Sequence, residues 1–205
     1  MEFVRRAQGV PKRLGVLPGT FNPITIAHLA LAHAAQGCCD EVVFVLPRTL
    51  PHKEYSGASF AERLELLEAA LGNVNRVSVA VADAGLFVEI AAECRQAYGP
   101  DVRLAFLCGR DAAERIAAWD YGSRGRFSSM LGLFDILVAD RDGEYTPPRE
   151  SSPAIQKLEL VGAFDHVSAS QVRERLTQGD PWEHLVPSAV RERVRQIYGR
   201  SRPRD

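Results

Sequence analysis

Five short apolar runs recur along the chain: LGVL (14–17), EVVFVL (41–46), RVSVAV (76–81), VRLAFL (102–107) and LFDILVA (133–139). Such near-continuous runs of strand length are what a strand buried on both faces needs, whereas a half-solvated strand would alternate apolar and polar residues. The stretches between them have helical spacing. IAHLALAHAAQ (26–36) stops at Gly37, FAERLELLEAAL (60–71) stops at Gly72, and further helices are expected over 86–98 and from about 112. Ser59 and Glu62 form a capping-box pair at the head of the second helix. Strict alternation of this kind leaves few topologies, because parallel strands need crossover helices and those crossovers are right-handed.

The expected fold class is α/β: a doubly wound, Rossmann-like parallel sheet with helices on both faces and a small C-terminal helical segment. A single domain over 1–205 is expected, with the core at 13–140 and a strand–helix segment at 159–198. A polar loop with three prolines (140–153) separates the two. In the C-terminal segment ELV (159–161) is a candidate last strand. A helix starts at Ser168 with Val172 and Leu176 stacked, and another starts at Pro187 with Val190, Val194 and Ile197 on one face.

A chain of 205 residues, 46% hydrophobic and 25% charged, can bury a core of this kind. Its net charge of −1 lacks the basic excess that nucleic-acid or membrane partners demand, so neither is expected. Cys38, Cys39, Cys94 and Cys108 have no CxxC spacing and read as thiols of a reducing cytosol. Residues 1–12 carry charge with no apolar stretch behind them, and no apolar run approaches the ~20 residues of a membrane span. A soluble cytoplasmic protein is expected. The sequence allows an oligomer without specifying one.

In a doubly wound sheet, ligands bind beyond the carboxyl ends of the strands, at the point where strand order reverses. The loops after the first, second and fourth runs hold the unusual residues. GxGxxG, the Walker GxxxxGK[ST] and the hydrolase GxSxG are all absent, and His28 and His33, five apart, splay on a helix rather than pairing on a metal. The first run leads instead into GTFNPITIAH. Gly19 permits close backbone approach, Pro23 sets the turn, and Thr25 caps the helix that holds His28. A helix start offers N–H groups and a positive dipole end to anionic oxygens. A capped helix with a half-buried histidine explains the same residues equally well.

VSASQVRERL (167–176) sets Ser168 and Ser170 at a second helix start, with Arg173 one turn on. Plain serine capping is its simpler explanation. Gly109, Arg110 and Asp111 end a buried strand, so Asp111 can accept ribose hydroxyls or cap a helix. Trp119 can stack on a planar base or fill the core. His52 and Lys53 are phosphate contacts or a solvated loop.

Taken together, GTFNPITIAHL, VFVLPRTLPHK, FLCGRD with Trp119 eight residues on, and VSASQVRERL followed by HLVPSAVRERV resemble the nicotinate/nicotinamide mononucleotide adenylyltransferases. These belong to the nucleotidyltransferase superfamily with the (H/T)xGH signature. The likeness runs nearly end to end. It implies an adenylyltransferase that moves AMP from ATP to nicotinate or nicotinamide mononucleotide, giving deamido-NAD or NAD and pyrophosphate. It implies catalytic roles for His28, Thr25 and Arg173, and ATP contacts from Gly19, Thr20, Phe21, Thr25, His28, Gly109, Ser168, Ser170 and Arg173. Acceptor contacts would come from Asn22, Lys53, Phe87, Asp111 and Trp119. Mg²⁺ would be bound through substrate phosphates, with no metal site made by side chains. Four positions depart from the family pattern. Ala27 stands where the bacterial motif has glycine, Asn22 where aspartate is commoner, Ala169 where serine is usual, and Phe87 at the threonine of the bacterial SYTxDT segment. A same-fold nucleotidyltransferase with another phosphate acceptor or CTP, and a catalytically retired nucleotide-binding protein, are the competing readings.

Overall fold

The computed structural model describes residues 1–49, 57–72, 74–118, 127–139, 146 and 153–199. Among them, seven strands form one sheet in the order β1-β4-β3-β2-β5-β6-β7. The strands are β1 (Glu2–Arg5), β2 (Arg13–Pro18), β3 (Glu41–Pro47), β4 (Val77–Ala82), β5 (Arg103–Gly109), β6 (Asp135–Ala139) and β7 (Ile155–Leu158). β2 to β7 are parallel, and β1 alone runs antiparallel, on the outer edge of β4. Without β1, the order is the doubly wound 3-2-1-4-5-6, so the strand order reverses between β2 and β5.

The apolar runs are buried on both faces, as their composition demands. In β3, Val42, Phe44 and Leu46 face one core and Val43 and Val45 the other. The first core is covered by α1 (Ile26–Ala35), α2 (Phe60–Leu71), α6 (Ala169–Gln178) and α7 (Arg191–Tyr198), and the second by α3 (Phe87–Tyr98), α4 (Arg110–Ala118) and the short α5 (Phe127–Met130). Each fully buried Val, Leu, Ile or Phe contributes about 2 kcal/mol of transfer free energy, against about 1 kcal/mol for a helix cap. Packing therefore fixes the layers and caps trim the ends. The Ser59–Glu62 capping box closes as expected, with Ser59 N–H to Glu62 Oε2 at 2.8 Å and Glu62 N–H to Ser59 Oγ at 3.2 Å. No helix of the described residues is long and apolar enough to cross a membrane.

Three local expectations are corrected, and one strand was not expected. The edge strand β1 carries too little apolar signal to be read: β4 is buried along its whole length, and β1 covers its open backbone edge. The last strand is Ile155–Leu158 rather than 159–161. Ile155 and Leu158 are buried there, whereas Val161 is 93% exposed. Pro187 precedes a 3-10 turn, Ser188–Val190, and α7 begins only at Arg191. β5 ends at Gly109, so Asp111 belongs to the first turn of α4 rather than to a strand end. Most of the polar loop at 140–153 lies outside the described residues.

At the amino-terminal end of the strands, away from the ligand edge, Glu41 is a buried carboxylate. Its Oε1 accepts from Ser78 Oγ (2.6 Å) and Tyr98 Oη (2.5 Å), which supplies the partners a buried polar group needs. Burial, and then the carboxylate as hydrogen-bond partner, raise the Tyr98 phenol far above its ordinary range.

Candidate functional site

β2 delivers the chain to Gly19, whose N–H donates to the Val45 carbonyl of neighbouring β3 (3.1 Å). A Cβ on Gly19 would come within 2.9 Å of the Phe21 ring, so glycine is what lets that ring fold back beneath the loop. Phe21 itself has φ 46°, is 1% exposed, tilts against Phe44 (5.7 Å) and meets the His28 ring edge-on (5.2 Å). Its side chain is thus part of the core and braces His28. The Asn22–Pro23 peptide is cis.

Thr25, fully buried, is the N-cap of α1, and His28 is the third helical residue. The Thr25 N–H donates to His28 Nδ1 at 2.9 Å, and Thr25 Oγ1 lies 2.9 Å from the same nitrogen. A backbone N–H can only donate, so Nδ1 accepts, and the hydrogen of the neutral ring is assigned to Nε2. The capping interaction thereby orients His28 as an Nε2–H donor. Cap and ligand group, alternatives in the sequence, are compatible in one side chain. Ala27 directs its methyl into the core cluster of this face.

At α6, Ser168 forms a closed capping box: its Oγ accepts from Gln171 N–H, and its own N–H donates to Gln171 Oε1, both at 3.2 Å. Arg173 Nη1 donates to the Asn22 carbonyl and to the Ala169 carbonyl (3.1 Å), and Nη2 donates to Ser170 Oγ (3.2 Å). The loop after β2 and the head of α6 are therefore in direct contact.

Asn22, 5% exposed, is also held by its side chain. Oδ1 accepts from Tyr198 Oη (2.6 Å) and from Ala58 N–H (3.4 Å). Arg63, 4% exposed, donates from Nη1 to the Thr20 carbonyl (3.0 Å). Arg63 and Tyr198 were not among the expected site residues. Arg63 had a legible signal, since it interrupts the apolar stripe of α2 at Phe60, Arg63 and Leu67. Tyr198 had none.

Across the switch point, Gly109 closes β5, and a Cβ there would meet nothing within 4 Å. Asp111 is exposed, with its carbonyl accepting from Arg115 Nε (3.0 Å). Phe87 opens α3 with its ring stacked on Phe106 at 4.3 Å and edge-on to Phe134 at 6.3 Å, inside an aromatic cluster of the second core. His52, Lys53 and Trp119 lie outside the described residues. The arrangement can hold an anion between two helix starts, beside the Nε2–H of His28 and the guanidinium of Arg173.

Residues 16–175 match the cytidylyltransferase-like family. A relative from Moorella thermoacetica, named a probable nicotinate-nucleotide adenylyltransferase, is 31% identical over 95% of this chain and 94% of its own. Another from Halalkalibacterium halodurans with the same name is 32% identical, covering 91% and 89%. Among solved structures, a nicotinic acid mononucleotide adenylyltransferase of Plasmodium falciparum complexed with NaAD shares the fold. Its TM-score is 0.70 at 16% identity, covering 92% of this chain and 97% of that one.

Proposed function

The chain belongs to the cytidylyltransferase-like family and, within it, to the nicotinate-nucleotide adenylyltransferases, and from that premise we propose that it transfers AMP from ATP to nicotinate mononucleotide in the cytoplasm. The 5′-phosphate oxygen of the acceptor attacks the α-phosphorus of ATP in line. The new P–O bond forms as the bond from Pα to the bridging oxygen breaks, and pyrophosphate carries that electron pair away. No enzyme nucleophile is needed, so catalysis rests on alignment and on neutralising charge at the leaving pyrophosphate.

The observation that carries this reading is the Arg173–Asn22 contact, which brings the loop leading into α1 against the head of α6. In this role His28 donates from Nε2 to phosphate oxygen, with Thr25 holding its ring. Arg173, Ser168 and Ser170 hold the triphosphate from the other side, and Gly19, Thr20, Phe21 and Gly109 contribute backbone to the ATP site. Asn22, Lys53, Phe87, Asp111 and Trp119 are assigned to the acceptor side. Asp111, exposed at the first turn of α4, suits ribose hydroxyls. Mg²⁺ would be carried by the ATP phosphates and would neutralise part of their charge.

The test is pyrophosphate and dinucleotide release from ATP–Mg²⁺ with nicotinate mononucleotide, nicotinamide mononucleotide and a panel of other phosphorylated acceptors, repeated with CTP. Deamido-NAD formed at the highest kcat/KM is the expected result. Turnover confined to a non-pyridine acceptor or to CTP overturns the substrate, and ATP binding without turnover of any acceptor overturns the reaction.

A further inference from the structure

We propose that Tyr198, on the last helix, is a positioning residue for this site: through Asn22 it fixes the Gly19–Thr25 loop that carries His28 and meets Arg173. The inference rests on the reading that this loop faces the nucleotide phosphates.

The hydroxyl of Tyr198 donates to Asn22 Oδ1 at 2.6 Å, and the same oxygen accepts from the Ala58 N–H at 3.4 Å. The backbone carbonyl of Asn22 receives Arg173 Nη1. One residue of the loop thus gathers α7, the segment leading into α2, and α6. Asn22 is 5% exposed, so a lost Tyr198 donor would leave Oδ1 with a weaker set of partners that water is poorly placed to make good. Gly57 leaves no slack on the other side, since a Cβ there would stand 2.7 Å from Asn22 Nδ2 and 2.8 Å from Oδ1. α7 is itself anchored by fully buried Val194 and packs against α2 and α6, so the hydroxyl projects from a fixed base. Asn22 is three residues before the cap Thr25, which in turn orients the His28 ring. A shift of the Asn22 peptide displaces the Arg173 acceptor and the α1 head together, whereas a shift in α7 that spared this bond would move neither.

The test combines kinetics with backbone exchange on the full chain. Tyr198→Phe keeps the ring and removes the hydroxyl. Expected are a fall in kcat of about tenfold with both KM values changed by less than about twofold, because alignment is lost more than ground-state binding. Deuterium uptake should rise in peptides covering 19–29 and stay unchanged in α7. In a double-mutant cycle, adding Tyr198→Phe to Asn22→Leu should cost nothing further. Unchanged uptake at 19–29, uptake that rises in α7 as well, or additive losses each overturn the proposal. Should the wild-type chain turn over no pyridine mononucleotide, the functional reading falls, while the exchange comparison still decides whether Tyr198 holds the loop.

Discussion

Arg173 Nη1 donates to the backbone carbonyl of Asn22, 151 residues earlier in the chain, while its Nη2 reaches Ser170 Oγ. One guanidinium therefore spans the two helix starts. A lysine keeps the charge but has a single nitrogen and no planar fork, and it cannot meet the Asn22 and Ala169 carbonyls and Ser170 at once. Arg173→Lys should lower kcat/KM for ATP by about 10²-fold, with a stability loss of only about 1 kcal/mol in urea denaturation. Activity within about threefold of wild type would mean that charge alone suffices and that the fork is idle.

His28 serves both as the third helical residue that accepts the Thr25 N–H and as the assigned Nε2–H donor, and two substitutions separate these roles. His28→Ala removes both and should lower kcat by about 10²–10³-fold, with about 1 kcal/mol lost from the head of α1. His28→Gln restores an acceptor suited to a capping box, so the melting temperature should recover while kcat does not. Near-normal turnover in His28→Ala would remove His28 from the chemistry.

The legibility of each element in the sequence depends on how local its signal is. The five apolar runs marked β2 to β6 because burial on both faces leaves them few polar positions, such as Glu41 and Ser78. β1 and β7 are edge strands. β1 offers only Phe3 and Val4 between charges, and β7 interleaves exposed Gln156 and Lys157 with buried Ile155 and Leu158. Thr25 with His28, and Ser168 with Arg173, could be read because helix starts are local chemistry. The Tyr198–Asn22 bond joins residues 176 positions apart, and no local pattern encodes it. Phe87 was legible as a departure from the family pattern, but its stacking on Phe106 depends on how α3 meets β5.

Gly19 and Gly109 flank the switch point and predict opposite responses to one methyl group. At Gly19 the methyl enters the Phe21 ring at 2.9 Å, and that ring is wedged against Phe44 and His28. Gly19→Ala should cost about 1–3 kcal/mol of stability and displace the loop, with kcat falling in parallel. At Gly109 the methyl meets nothing within 4 Å. Gly109→Ala should leave stability within about 0.5 kcal/mol, yet raise the KM for ATP if nucleotide lies against that backbone. Denaturation curves with paired KM values decide both. A Gly19→Ala protein as stable as wild type would contradict the packing described.

Asp40 supplies a pH dependence of stability at the end of the sheet remote from the site. Its Oδ2 accepts the N–H groups of Arg13 and Lys12, each at 2.8 Å, and these bonds, Arg13 first, hold the carboxyl below its ordinary value of 3.8. A depressed folded-state value means that the charged form is favoured by folding. The contribution is complete above 3.8 and disappears as pH falls through the lower, folded-state value. Asp40→Asn should therefore lower the melting temperature at pH 7, with the gap to wild type narrowing once the pH drops below 3.8. Turnover at neutral pH should stay unchanged, since Asp40 binds at the entry to β2, at the far end of the sheet from the candidate site. Melting curves from pH 7 to pH 3 provide the check, and a gap that stays constant across that range would show that the ionised carboxylate contributes nothing beyond a neutral acceptor.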